Sequence, residues 1–243
     1  MIRFSNIRRG AFPFSLFLLL LFSFPLFGDS KNIVYNKSFE ASKIDKIEIS
    51  LTYENLKIST IYGDEVVIEI GSNNINKIPQ VSMEEDGLCH ILKIISPNKR
   101  AQPGNNSSLY LYLPQDFLPK DIKINLVNAS LMAQALQAEN SIKISGASGR
   151  LDIAAASTDF LEISSVSGNL TLQKLSASYA QINTVSANIF VELEKNFEAL
   201  SSIKSISGKI QLYYKKNESP FSDDSPKLIL SSISGKVESV PFD

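Results

Sequence analysis

The stretch LEISSVSGNLTL, residues 161–172, alternates apolar and polar residues on either side of a Ser-Val-Ser-Gly corner. Six twelve-residue windows of the chain share this layout, and we number them first to sixth. They begin at Ile122, Ile142, Leu161, Ala180, Ser201 and Leu228. The starts lie 20, 19, 19, 21 and 27 residues apart, and the last interval holds a polar insert, 214–226, which reads as a surface loop. Self-similarity at such a period indicates a repeat architecture.

Within each window the apolar positions predict β-strands. Positions 3, 6 and 10 are apolar and mostly β-branched, whereas position 9 is always polar. We expect positions 3, 6 and 10 to form internal rows, with position 9 facing out. Position 3 holds Ile124, Ile144, Ile163, Ile182, Ile203 and Leu230. Position 6 holds Val127, Ala147, Val166, Val185, Ile206 and Ile233. Position 10 holds Leu131, Leu151, Leu170, Ile189, Ile210 and Val237.

Position 8 is always glycine or alanine. It holds Ala129, Gly149, Gly168, Ala187, Gly208 and Gly235. Glycine often marks a positive φ, which alanine tolerates poorly, so the two alanines indicate that small size is the main requirement. We therefore expect the backbone to pass close to a neighbour at this corner.

Two architectures produce such windows. In a single-stranded parallel β-helix, or β-solenoid, each window belongs to one coil of about 20 residues and like positions stack on each other. In a hairpin array, each window is two antiparallel strands about a tight turn. We prefer the all-β solenoid because like residues recur in like positions, and the hairpin array stays open as the alternative. Pro241, which cannot donate to a ladder, would then blunt the exposed edge of the last coil.

The chain divides into three parts. Residues 1–28 carry a basic start and an uncharged apolar run, the layout of a cleaved signal peptide or, alternatively, of a retained N-terminal anchor helix. Residues 33–120 are a strand-rich N-terminal part of the solenoid, and IEISLTYENLKI from Ile47 is a degenerate window with Glu54 at position 8. Residues 121–243 are the repeat coils. A signal predicts an extracytoplasmic protein: periplasmic, surface-bound or secreted.

Composition narrows the class of function. The chain of 243 residues has a net charge of −1, and without residues 1–28 it has 21 basic and 25 acidic residues, net −4. Because no basic stripe is present, we expect no nucleic-acid partner. Contact with a membrane is expected only through the N-terminal segment if it is uncleaved. Cys89 is the single cysteine, which rules out an intramolecular disulfide.

The order of motifs resembles a known family. ENLKISTIYGDEVVIEI, then LYLYLP, then serial Ser-x-Ser-Gly windows are similar to the bacterial putative-adhesin domain of unknown function (DUF4097-like, a β-helix repeat family). The similarity spans about residues 40–240. The resemblance implies a parallel β-helix-like fold and an extracytoplasmic location. It brings no catalytic residues, since the family has no established active-site motif.

Few residues of the sequence suggest a catalytic, metal-binding or ligand-binding role. Cys89 and His90 are strand neighbours whose side chains point to opposite faces, so we interpret them as ordinary strand residues. Asp223-Asp224 and Glu84-Glu85-Asp86 are interpreted as solvated loop charges, because a working acid pair needs a fixed separation. We predict no catalytic, cofactor or metal residues. The outward position 9 could form a weak ladder for an anionic glycan, although a solvated face is the preferred interpretation; it holds Ser130, Arg150, Asn169, Asn188, Lys209 and Lys236.

Three functions follow from these patterns. The first is a non-enzymatic, adhesin-like binding or scaffolding protein of the bacterial cell envelope, with an unknown protein or glycan partner. The second is an envelope polysaccharide-active enzyme, which rests on fold analogy alone. The third is an envelope-stress sensor held at the membrane by an uncleaved N-terminus. A shared outward face of Tyr110, Tyr112, Tyr213 and Tyr214 would point to a binding surface.

Overall fold

The protein is all-β. The computed structural model describes residues 32–74, 76, 78–97, 107–194, 200–205, 210–212 and 227–242. Apart from a 3₁₀ turn at Ala41–Lys43 and a 3₁₀ residue at Asn76, the regular elements among these residues are strands. They are β1 (Ile33–Glu40), β2 (Lys46–Leu51), β3 (Asn55–Ile61), β4 (Glu65–Gly71), β5 (Gln80–Asp86), β6 (Cys89–Ile95), β7 (Ser108–Pro114), β8 (Asp121–Asn128), β9 (Leu131–Ala133), β10 (Leu136–Gln137), β11 (Ser141–Ser148), β12 (Leu151–Ile153), β13 (Ala156–Glu194), β14 (Leu200–Ser205), β15 (Ile210–Leu212), β16 (Lys227–Ser232) and β17 (Val237–Phe242). The predicted N-terminal signal, residues 1–28, lies outside the described residues.

Neighbouring windows pair in parallel, with like positions opposite each other. Ile142 of β11 lies between Ile122 of β8 and Leu161 of β13, at separations of 20 and 19 residues along the chain. The second halves repeat this register, since Leu151 of β12 lies between Leu131 and Leu170. A hairpin array would pair consecutive strands in antiparallel fashion, so that alternative is wrong for these windows.

The windows do not follow each other in space as they do in sequence. The fourth window lies beside the third, where the Ser186 hydroxyl donates to the Val166 carbonyl oxygen at 3.3 Å. The sixth window is next, because β16 and β17 pair with β13 on one side. On their other side β16 and β17 pair with β14 and β15, so the fifth window comes last. The expectation that Pro241 lies in the last coil of the stack is wrong, because the fifth window lies beyond the sixth. At Pro241 itself, the described ladder has a partner on one side, Leu193.

The N-terminal part continues the same stack and then changes direction. The degenerate window from Ile47 is in register with the first window, since Ile47 pairs with Ile122 and Leu56 pairs with Leu131. Its other side pairs in parallel with β6 and β7. Beyond that point the pairing is antiparallel: β4 lies between β1 and β7, and β5 pairs with β6. The repeat pattern does not predict these antiparallel strands.

Two of the three predicted internal rows form the core. The described side chains at positions 3 and 10 are at most 2% exposed, and those at position 1 are equally buried. Each such aliphatic side chain contributes about 1.5–3 kcal/mol by leaving water, so stacked rows hold the windows together without any disulfide. The side chains of Ile203 and Ile210 lie outside the described part. The Ile203 backbone pairs with Leu230, so the sixth window separates it from Ile182.

The small residue at position 8 has two physical causes. A Cβ built on Gly168 would lie 1.8 Å from the carbonyl oxygen of Gly149, and one on Gly149 would lie 2.2 Å from that of Ala129. The expected close approach is therefore confirmed. The glycines also need positive φ, +127° at Gly149, +116° at Gly168 and +141° at Gly235, so the expectation that size dominates is incomplete. Ala129 and Ala187 fit their corners because they lack this positive φ.

Candidate functional site

Position 6 faces solvent, which overturns its predicted place in the core. Val127, Val166, Val185 and Ile233 are 47%, 53%, 42% and 46% exposed. The reason is the strand period of two: positions 1, 3 and 5 point inward, so position 6 must point outward with positions 2 and 4. The corner at positions 7 and 8 then reverses this order, which is why position 10 is buried. We call Val127, Ala147, Val166, Val185 and Ile233 the aliphatic row.

The serines of the Ser-x-Ser-Gly corner hold the backbone beside this row. At position 5, the buried Ser165 hydroxyl donates to the carbonyl oxygen of Ser167 at 3.1 Å, and Ser232 does the same to Ser234 at 3.2 Å. At position 7, each serine hydroxyl reaches the position-6 carbonyl oxygen of the adjacent window. These bonds are Ser148 to Val127 at 3.2 Å, Ser167 to Ala147 at 3.3 Å, Ser186 to Val166 at 3.3 Å and Ser234 to Val185 at 3.5 Å. One serine thus closes the corner and the other joins windows.

The aliphatic row lines a shallow groove of about 660 Å³. Its lining comes from positions 4–6 of the first, second, third, fourth and sixth windows. With neighbouring strands about 4.8 Å apart, five adjacent windows give the row a length of about 19 Å. Position 4 supplies a polar border of Asn125, Ser145, Ser164, Asn183 and Ser231. A groove crossing five windows suits an elongated ligand better than a compact one.

Charged and aromatic side chains flank the groove at position 2 and at the residue just before each window, which we call position 0. Lys123 and Lys143 are exposed neighbours at position 2. At position 0, the rings of Phe160 and Tyr179 stack 5.0 Å apart with an interplanar angle of 1°, and the Lys143 ammonium lies 5.6 Å from the Phe160 ring centre. Each ring thus covers one face of the other, and this contact between the third and fourth windows stabilises the stack.

His90 lies beside two carboxylates, those of Asp45 and Glu85. The His90 backbone N–H donates to Asp45 Oδ2 at 2.9 Å, and its ring Nδ1 lies 3.5 Å from the same oxygen. This N–H, followed by the Lys120 ammonium 2.9 Å from Asp45 Oδ1, lowers the pKa of the Asp45 carboxyl to about 2. In the described ranges, no three His, Cys, Asp or Glu side chains come together as a metal site. The cluster acts as a tie between β2, β6 and the segment before β8.

Glu84, Glu85 and Asp86 end strand β5, so their predicted place in a loop is wrong. Glu84 pairs with Lys93, which raises the pKa of that lysine through its hydrogen bond to the carboxylate. At position 9, Arg150 pairs with Asp152, and Lys236 pairs with Glu238, so an acid two residues along the strand offsets each cation. This arrangement disfavours a ladder for an anionic glycan. Lys209, Asp223 and Asp224 lie outside the described residues.

Two of the four tyrosines share an outward face. Tyr110 and Tyr112 lie two residues apart on β7 and therefore point to the same face. The Tyr112 hydroxyl donates to Glu69 Oε2 at 3.2 Å, and the Lys57 ammonium lies 5.4 Å from the Tyr110 ring centre. Burial, followed by the Glu69 charge, raises the pKa of Tyr112. Tyr213 and Tyr214 lie outside the described part, so the four-tyrosine surface stays a prediction. The apolar pattern predicts a buried place for the aliphatic row, so sequence reasoning missed it as a surface. The signal was available, because positions 3 and 6 are an odd number of residues apart and must point to opposite faces of a strand.

Known proteins resemble this chain in sequence pattern and in overall fold. The family described as Toastrack DUF4097 matches residues 44–227. The chain belongs to this Toastrack family. The expected resemblance to the DUF4097 domain is therefore confirmed. No curated protein matches the chain.

Solved structures share the Toastrack fold at low sequence identity. A "putative cell adhesion protein" from Clostridium sporogenes is 12% identical, with a TM-score of 0.52 over 86% of this chain and 98% of that one. A "putative adhesin" from Bacteroides fragilis is also 12% identical, with a TM-score of 0.51 over 85% of this chain and 96% of that one. At such identity the likeness establishes the fold alone. No helix in the described part of this Toastrack chain has the length and apolarity of a membrane span.

Proposed function

We propose that the chain is a non-enzymatic binding or scaffolding protein of the bacterial cell envelope, exported from the cytoplasm. In this proposal the windows are coils of about 20 residues in a β-solenoid, and the groove along the aliphatic row receives the ligand. The adhesin descriptions of the two structural neighbours support a binding role, and the layout of residues 1–28 supports export.

One observation carries the proposal. Four β-branched side chains of the aliphatic row are between 42% and 53% exposed, and the row is continuous across five adjacent windows. Single exposed aliphatics are ordinary on protein surfaces, whereas a contiguous apolar patch commonly marks an interaction site. These side chains lie outside the core, whose apolar rows are built by positions 1, 3 and 10.

A direct test compares envelope binding of two matched variants of the exported protein. Val166→Asp places a charge in the middle of the aliphatic row, and Met132→Asp places one at an exposed aliphatic on β9, outside the groove. We expect Val166→Asp to reduce binding to isolated envelope at least about tenfold, because a carboxylate resists transfer into an apolar contact. Met132→Asp should bind as wild type does. Equal binding by both variants would remove the groove from the function.

Export is tested separately by intact-mass analysis of the protein recovered from the envelope. Loss of about the first 28 residues is expected if the N-terminal segment is a cleaved signal peptide. A full-length mass in the membrane fraction would favour the membrane-anchored sensor instead. Recovery of the protein from the cytoplasm alone would overturn the envelope location.

A further inference from the structure

We propose that the groove holds the alkyl tail of a single-chain anionic amphiphile, with the anionic head group beside Lys123 and Lys143. A fatty acid and a lysophospholipid both have this chemistry. The inference uses the same groove as the binding function proposed above and depends on that proposal in this respect. It goes further because it names the class of ligand and the direction in which it lies.

The first argument is that several polar groups in and beside the groove are engaged within the protein. The position-7 hydroxyls of Ser167 and Ser186 donate to carbonyl oxygens of the neighbouring window. At position 4, Ser231 donates to the Asn183 side chain. The Thr184 hydroxyl, which has no hydrogen-bond partner among the described residues, is buried at the inward position 5. A sugar or an extended peptide needs several hydrogen bonds that the engaged groups cannot supply, whereas an alkyl chain needs none.

The second argument is the shape of the apolar surface. The aliphatic row is one side chain wide and about 19 Å long, given the spacing of strands in a sheet. A stable protein partner, or a second copy of this chain, buries about 800 Å² on each side of an interface. Five half-exposed or smaller side chains in a single file provide far less apolar surface than that. A linear, unbranched alkyl chain matches a row that is long and narrow.

The third argument is the uneven charge along the groove. Position 2, which borders it, holds Lys123 and Lys143 in the first and second windows, and both side chains are exposed. Glu48 of β2 precedes Lys123 and lies 4.0 Å from the Lys93 ammonium, which offsets its charge. Glu162 follows in the third window, and the neutral residues Gln181 and Ile229 follow in the fourth and sixth. An anionic head group is therefore favoured at the end that carries the two lysines. The tail would then run over Val166 toward Ile233.

The test measures binding of two probes, palmitate and palmitoyl-lysophosphatidylglycerol, to the full-length protein below the concentrations at which they form micelles. We expect saturable binding of at least one probe to wild type, and the stronger probe distinguishes the two sources. Val166→Asp should weaken binding at least about tenfold, because it puts a charge against the alkyl chain, while Met132→Asp should stay within about twofold. Val185→Asp serves as a second groove variant if Val166→Asp fails to fold by circular dichroism.

The direction of the ligand is tested with charge reversals. Lys123→Glu combined with Lys143→Glu should weaken both anionic probes about tenfold or more and leave uncharged monopalmitoyl glycerol unaffected. Lys204→Glu is the matched control, since Lys204 pairs with Ser231 at the opposite end of the five windows. An effect of Lys204→Glu alone would overturn the assigned direction.

Two results would overturn the inference itself. The first is no saturable binding of either probe to wild type, and the second is equal binding by the Val166→Asp and Met132→Asp variants. If the probes fail while envelope binding still depends on Val166, the amphiphile is wrong and the proposed binding function stands. If neither measurement depends on Val166, both proposals fail.

Discussion

Replacing Gly168 by alanine should destabilise the stack of windows more than replacing any other glycine in the described part of the chain. The backbone at Gly168 has φ +116°, and an added Cβ would lie 1.8 Å from the carbonyl oxygen of Gly149. A side chain in this backbone region costs about 1–3 kcal/mol. Forcing an atom into a packed contact costs about 1–3 kcal/mol more, so we expect a loss of about 2–6 kcal/mol. That is a large part of the roughly 5–15 kcal/mol typical of a folded domain.

A second glycine separates the two contributions. Gly63 has φ +131° but open space around its Cβ position, so Gly63→Ala should cost only the backbone strain of about 1–3 kcal/mol. Urea unfolding followed by circular dichroism measures both variants. Hydrogen exchange then shows whether the loss is confined to neighbouring windows, since repeats unfold through local interfaces. If the two variants lose the same free energy, the close approach of the windows at Gly168 is not real.

Three further predictions test the ends and corners of the stack. Glu54→Ala removes a buried carboxylate that accepts hydrogen bonds from two backbone N–H groups and a hydroxyl. We expect the free energy of unfolding, measured by urea titration, to fall by about 1–3 kcal/mol. An unchanged free energy would contradict this role of Glu54. The pKa of Asp45 is about 2 in the folded protein, below its ordinary 3.8, so the ionised carboxylate stabilises the fold above about pH 4 and this stabilisation is lost as the pH falls toward 2. An NMR titration of Asp45 should show a midpoint near this folded pKa. Lys120→Ala should raise that midpoint. Deleting 227–243 removes the described partners of β14, so the amides of 200–205 should lose protection in hydrogen exchange while those of β11 keep it.

Much of the fold follows from the sequence, because stacking repeats the same requirements at the same positions. A buried position 3 must be aliphatic in every window, so the pattern at Ile124, Ile144 and Ile163 is enough to predict a row. The corner follows in the same way, since a residue such as Gly149 must be small wherever another backbone passes beneath it. The family assignment depends on the order of these motifs and is equally accessible from sequence.

The candidate site is harder to predict because its residues look like core residues. Val166 and Val185 are as aliphatic as Ile163, and composition alone places all three inside. Only the strand period distinguishes them, and it must be counted from position 1 without crossing the corner. The tie at Asp45 escapes prediction for another reason: it joins residues 45 positions apart in sequence, and no local pattern records that contact.

The order of the windows cannot be obtained from the repeat pattern, because any two windows offer matching rows to each other. A different feature distinguishes the fifth window: it has Lys204 at position 4, where its companions have serine or asparagine. In sequence order, this lysine position would separate Asn183 from Ser231 and interrupt the polar border of the groove. With the sixth window inserted between the fourth and fifth, Ser231 bonds directly to Asn183, and the groove crosses five windows without a lysine at position 4. The 27-residue interval before the sixth window gives the chain enough length to make this return. The order of the windows therefore preserves the groove as well as the core, which is a reason to regard the groove as the functional surface.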